Sequence, residues 1–154
     1  MRVKDILTKY HLAIQEGSYT CGPVSILNVL RLKGDFSRTE KELAELCDAK
    51  VGIGSSNENV VKAAKQVGLK ILEQKADAAI ADIEKQLDND AYVIVNYCHA
   101  FSDTGHYAVI TDYDEEALYF ADSSLGFLRL RKEYFKKYWY NSDKTIYGWY
   151  VALN

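Results

Sequence analysis

Three side chains of this sequence have the types needed to open an acyl bond by nucleophilic attack: a cysteine, a histidine and an aspartate. Cys21 lies in "QEGSYTCGP", followed by Gly22 and by Pro23, the only proline of the chain. A run of helical period, "CGPVSILNVLRLKG", begins at the cysteine. The first turn of a helix carries unpaired N–H groups and a partial positive charge, which favour a thiolate over a thiol. Proline has no N–H, so it fits that turn, where the donor has no intrahelical partner anyway. Gly22 is read as a place where a substrate can approach the backbone. Taken alone, Cys21 reads first as a buried cysteine beside a helix cap, because free cysteine is among the most buried residue types. A catalytic reading needs partners.

His106, in "GHYAVITDY", and Asp122, in "ALYFADSSLG", are candidates for the base and the group that orients it. The two segments read as strands of one hairpin. A loop of odd length gives paired positions with an even sum, so His106 and Asp122 share a face. A turn centred on Asp114 makes them direct partners. One centred on Glu115 makes them diagonal neighbours, and an even loop without a bulge puts them on opposite faces. Gln15, six residues before Cys21, offers a side-chain amide. With the Cys21 backbone N–H it can hold an oxyanion.

These residues need elements to position them. Residues 1–90 read mainly as helices and residues 91–154 mainly as strands, two lobes of one domain spanning 1–154. "SRTEKELAELC" and "SSNENVVKAAKQVG" are helices in which Ser37 with Glu40, and Ser55 with Glu58, have capping-box spacing. "DAAIADIEKQLDN" is a helix capped by Asp77. A short strand, "LKILEQ", separates the last two. "AYVIVNY", "GHYAVITDY", "ALYFAD", "SLGFLRLRK" and "TIYGWYVAL" are strands, and "KEYFKKYWY" is a short helix. Helices first and an antiparallel sheet later give an α+β fold.

Composition narrows the classes. The chain has 154 residues, 48% of them hydrophobic, and a formal net charge of −3 with a pI near 5.6. That supports a real core and argues against a nucleic-acid surface. The apolar stretches fall short of the roughly 18 residues of a membrane span, and the N-terminus lacks the h-region of a signal peptide. The expectation is a cytoplasmic protein, not embedded in a membrane. Cys21, Cys47 and Cys98 are odd in number, with no CxxC, which fits reduced thiols. Cys47 falls on an apolar helix face. Cys98, His99 and His106 lack a fourth ligand, so no metal and no cofactor is expected. His11 reads as a surface or packing histidine. Tyr107 and Tyr119 are candidates to line a peptide groove.

The ordered set of Gln15, Cys21-Gly22-Pro23, "GHYAVI" and "ADSSLG", with "FADSSLGFLRLRKEYFKKYWY", resembles the bacteriocin-processing, double-glycine cysteine peptidases from about Ile14 to Tyr140. Those have a papain-like fold and occur as N-terminal domains of ABC exporters and as free-standing relatives. Thr20 stands where that family often has an aspartate. The resemblance implies that Cys21 is the nucleophile, His106 the base, Asp122 the orienting acid and Gln15 the oxyanion-hole residue. It also implies a peptide or protein substrate cut after a small residue such as glycine, with a separate ABC exporter as a candidate partner. Acyl or amide transfer by the same three residues, and a non-catalytic peptide-binding relative, are the alternatives.

Overall fold

The structure, a computed structural model, describes residues 12–99 and 105–154. Its elements are α1 (Cys21–Leu32), α2 (Glu40–Leu46), α3 (Asn57–Gln66), β1 (Ile71–Lys75), α4 (Ile80–Asp88), β2 (Tyr92–Cys98), β3 (Gly105–Tyr113), β4 (Ala117–Asp122), β5 (Gly126–Arg131), α5 (Lys132–Tyr138) and β6 (Tyr150–Leu153). The six strands form one antiparallel sheet in the order β1-β6-β2-β3-β4-β5. The short strand of the helical half thus becomes an edge of the sheet, paired with the last strand of the chain.

Both faces of the sheet are covered, so its central strands read as continuous apolar runs. Ile94, Tyr107, Val109 and Val151 face Ile26, Val29 and Leu30 of α1 together with residues of α2 and α3. Alternate residues, among them Val95, Tyr97, Ile110 and Phe120, pack with Ile83 and Leu87 of α4 and Phe135 of α5. Helix α1 is buried from Gly22 to Leu30. Inside it, Asn28 is satisfied by the backbone of Ala13: its Oδ1 accepts from the Ala13 N–H at 2.7 Å, and its Nδ2 donates to the Ala13 carbonyl at 3.1 Å. This pins the strand-like segment carrying Gln15 onto the helix that carries Cys21.

The helix starts differ from the capping expectations by one or two residues. Thr39 caps α2, its hydroxyl accepting from the Glu42 N–H, while Ser37 turns to Asp35. Ser56 caps α3, accepting from the Asn59 N–H. At α4 the cap position is Ala79, and the Asp82 carboxylate accepts its N–H at 2.8 Å. Asp77 instead adopts φ +53° and donates its N–H to the Tyr147 carbonyl. Neighbouring small polar residues present the same spacing, and tertiary contacts decide which one caps.

The β3–β4 hairpin settles whether His106 and Asp122 share a face. Asp114 and Ala117 close a two-residue loop, the Asp114 N–H donating to the Ala117 carbonyl at 2.9 Å. The Asp114 Oδ1 accepts from the Glu116 and Ala117 N–H groups. That loop is even, and beyond it Tyr113 pairs with Leu118 and Asp112 with Tyr119. A bulge then inserts Thr111, after which Ala108 pairs with Asp122. One extra residue restores the parity, so His106 lies diagonal to Asp122 on the same face.

Phe135 is fully buried and its ring meets Tyr97, Phe120 and Trp139. Phe135→Ala is expected to lower stability by about 3–5 kcal/mol, measured by urea denaturation; a loss below ~1 kcal/mol would show that the face behind the hairpin is loosely packed.

Candidate active site

Cys21 is the first residue of α1 and is half-buried. The residue before it, Thr20, occupies the cap position, but its side chain makes no capping hydrogen bond. The Thr20 hydroxyl lies 2.9 Å from the Gly17 carbonyl and 2.5 Å from Glu40 Oε1. The first-turn N–H groups of α1 therefore remain without a side-chain acceptor among the described residues, and Pro23 contributes none. Gly22 does not have the role expected of it. A Cβ there would sit 3.0 Å from Val60 and 3.3 Å from Tyr107, so the glycine lets α1 approach α3 and β3 closely. A cavity of about 310 Å³ opens at Cys21, with Tyr19, Gly54, Asn96, Gly105 and Tyr107 in its walls.

The ring of His106 is buried. Nε2 lies 2.9 Å from Asp122 Oδ1 and 3.2 Å from the Ser123 hydroxyl, and Cys21 is near enough to bear on the titration of the imidazole. Burial disfavours the imidazolium, but the hydrogen bond that His106 donates to Asp122, followed by the influence of Cys21, outweighs it and raises the pKa to about 9. Asp122 is fully buried. Burial favours its neutral form, yet the bond to His106 and further donors hold it down to about 2. Those donors are the Tyr97 hydroxyl on Oδ2 at 2.6 Å and the N–H groups of Ser124 and Leu125 on Oδ1 at 2.8 and 3.0 Å.

Gln15 is tied to the turn that follows Asp122. Its N–H donates to the Ser123 carbonyl at 2.7 Å, and its Oε1 accepts from the Ser124 hydroxyl at 3.0 Å. Its Nε2 donates one hydrogen to the Gly17 carbonyl at 2.8 Å, which fixes the amide and leaves the second N–H. The structure thus pairs His106 with Asp122, sets Cys21 in the neighbourhood of the imidazole and ties Gln15 to the turn after Asp122.

Of the remaining sequence candidates, Tyr107 lines the cavity and donates to the Ser55 carbonyl and to Asn57. Tyr119 belongs elsewhere, bonded to Asp114. Cys47 is buried and its thiol is pushed up to about 12 by that burial, and Cys98 is buried with its thiol on the Tyr140 carbonyl. His11 lies outside the described residues. His99, half-buried, packs its ring against Tyr97 and His106. Its pKa is lowered by burial and by the charge of His106. His99, His106 and Asp122 bring ligand atoms within 4.8 Å of one another. The Asp122 oxygens already accept from four donors, so the group is a saturated hydrogen-bond cluster rather than a metal centre.

Sequence reasoning did not single out Tyr97, Ser123 or Ser124. Tyr97 pairs directly with His106 across β2 and β3, so register alone would have pointed to it. Tyr97→Phe removes the donor on Oδ2 and is expected to cost about 1.5–3 kcal/mol, read by chemical denaturation, and to raise the Asp122 pKa. The His106–Asp122 interaction has its own pH signature. The raised histidine pKa gives stability that is complete below its unfolded value and lost as pH rises through about 9. The lowered aspartate pKa gives stability present above its unfolded value and lost as pH falls through about 2. The melting temperature is therefore expected to be flat from about pH 4 to about pH 6.5 and to fall on either side; a steady rise from pH 7 to 10 would contradict the pairing.

Known proteins resemble this chain over most of its length. The sequence signature described as "Peptidase C39 family" matches residues 9–144. An uncharacterized protein of Methanothermobacter thermautotrophicus is 33% identical over 126 residues, 82% of this chain and 80% of the relative. The peptidase domain of Streptococcus ComA, a bi-functional ABC transporter involved in a quorum-sensing pathway, superposes with a TM-score of 0.72 at 23% identity, covering 94% of this chain and 97% of that one. A double glycine motif protease from an AMS/PCAT transporter, solved with its leader peptide, gives a TM-score of 0.62 at 16% identity, covering 92% and 87%. Among the described residues no helix is long and apolar enough to cross a membrane. The α+β fold is that of these papain-like peptidase domains, and the chain belongs to the Peptidase C39 family of cysteine-type peptidases.

Proposed function

We propose that the protein hydrolyses a peptide bond through Cys21, His106, Asp122 and Gln15. The observation that carries this reading is the buried His106–Asp122 pair, with Cys21 near enough to raise the pKa of the imidazole. With Nε2 committed to Asp122, Nδ1 is the ring nitrogen left for the Cys21 thiol. Proton transfer from sulfur to Nδ1 gives a thiolate at the start of α1 and an imidazolium that Asp122 orients and stabilises. The thiolate attacks the scissile carbonyl carbon, forming a C–S bond, and the carbonyl oxygen becomes an oxyanion. The Cys21 N–H and the second Nε2 hydrogen of Gln15 hold it. The oxyanion collapses, the C–N bond breaks, and the imidazolium proton goes to the leaving amine. A water then gives its proton to His106 and attacks the thioester. The C–S bond breaks, the acid departs and the thiolate is restored.

The substrate is a peptide with a small residue such as glycine at the cut. Gly54 and Gly105 line the cavity beside the sulfur, and even a Cβ on Gly105 would lie 2.9 Å from the Ser142 nitrogen, so there is little width to spare. The leader peptide bound by the AMS/PCAT protease supports a leader-like substrate, and an exporter that takes the matured product is the partner such a substrate implies.

The test is alkylation by iodoacetamide together with cleavage of a peptide library read by mass spectrometry. Cys21 should react at least ~10-fold faster than Cys47 and Cys98, which are buried, and His106→Ala should slow it. Cys21→Ala should abolish cleavage, a loss on the order of 10⁴-fold or more. In the wild type, kcat/KM should fall as pH rises through about 9, where His106 loses the proton it must donate. One slow rate at all three cysteines, with no peptide cut, would overturn the proposal. Trapping of acyl groups by added amines in place of water would make the protein a transferase.

A further inference from the structure

We propose that Glu40 is the positioning residue of the oxyanion hole; this rests on the reading of Cys21 and Gln15 above. Glu40 is the first residue of α2, and its carboxylate faces the Gln15–Thr20 loop across α1's N-terminus. Its Oε1 accepts from the Glu16 N–H at 3.0 Å, the Gly17 N–H at 3.3 Å and the Thr20 hydroxyl at 2.5 Å, and its Oε2 accepts from the Glu16 N–H at 3.2 Å. The loop has no ladder of its own, so these bonds set its shape.

Two consequences converge on the hole. First, Glu40 holds the Gly17 N–H, and the carbonyl of the same residue accepts from Gln15 Nε2. The amide of Gln15 is therefore oriented through Gly17 by a side chain that touches no reacting atom. Second, Glu40 draws the Thr20 hydroxyl away from the helix. Threonine at this position ordinarily accepts an N–H of the first turn, and here it does not. The Cys21 N–H is left for the substrate oxygen. Gly17 packs tightly into the arrangement, since a Cβ there would lie 3.2 Å from Thr20. A preorganised donor is worth more than a mobile one because no reorganisation is needed as charge develops.

Glutamine at position 40 keeps an acceptor oxygen where Oε1 stands, and alanine keeps none. Glu40→Ala is expected to lower kcat by roughly 10- to 100-fold with KM within about twofold, and Glu40→Gln to retain activity within about threefold of wild type. Alkylation of Cys21 by iodoacetamide should be unchanged in Glu40→Ala, because displacement at a methylene carbon builds no charge on a carbonyl oxygen. Affinity for a peptide ending in glycinal, whose hemithioacetal oxygen occupies the hole, should fall in step with kcat. Gln15→Ala with Glu40→Ala should be less impaired than the product of the single losses. Equal losses of alkylation and cleavage in Glu40→Ala would make Glu40 merely structural and overturn the inference. So would Glu40→Gln as impaired as Glu40→Ala, or an unchanged kcat in Glu40→Ala. Failure of the underlying reading looks different: the wild type itself would neither cut peptides nor capture the aldehyde on Cys21.

Discussion

A carboxylate taken wholly out of water is the constraint around which this molecule is arranged. Asp122 is completely buried, and an unpaired charge in such a place costs several kcal/mol. Here it is met by an imidazole, a phenol and two backbone N–H groups. Each donor comes with a structural obligation. The phenol requires Tyr97 on β2 to stand opposite His106 on β3. The imidazole requires β3 and β4 to share a face. The N–H groups require a tight turn after β4. Satisfying one buried charge thus fixes three strands and a turn, and the same contacts fix the imidazole of His106.

Much of this was legible in the letters. The strand "GHYAVITDY" is β3 from Gly105 to Tyr113, and "ALYFAD" is β4 from Ala117 to Asp122, because β-branched and aromatic runs bounded by polar turns leave little room for another reading. The start of α1 at Cys21 followed from Pro23 and the apolar period. The relative placement of His106 and Asp122 was legible only as a condition on parity. The polar "DEE" does not say whether its loop is even, and nothing marks Thr111 as a bulge. Its register is decided by what each face must bury.

What sequence could not show was the set of groups acting at second hand. Glu40 has the spacing of a capping residue, and helical propensity fully explains a glutamate there. Only the fold reveals that it faces a loop from another part of the chain. Gly22 was misread for a related reason: a glycine beside a nucleophile suggests room for a substrate, whereas Val60 and Tyr107 occupy that side. Ser56 rather than Ser55 caps α3, and the neighbouring Ser55 hydroxyl is buried instead. In each case the local pattern was compatible with two partners, and long-range packing chose.

The bond between Ser124 and Gln15 spans 109 positions of sequence, and β1 meets β6 across a comparable stretch. Loop-closure entropy makes such contacts late arrivals during folding. A nascent or partly unfolded chain therefore holds the sulfur and the imidazole on separate, unconnected pieces. Hydrolytic power is switched on only by completion of the tertiary structure, so an immature copy poses no threat to the unfolded polypeptides around it.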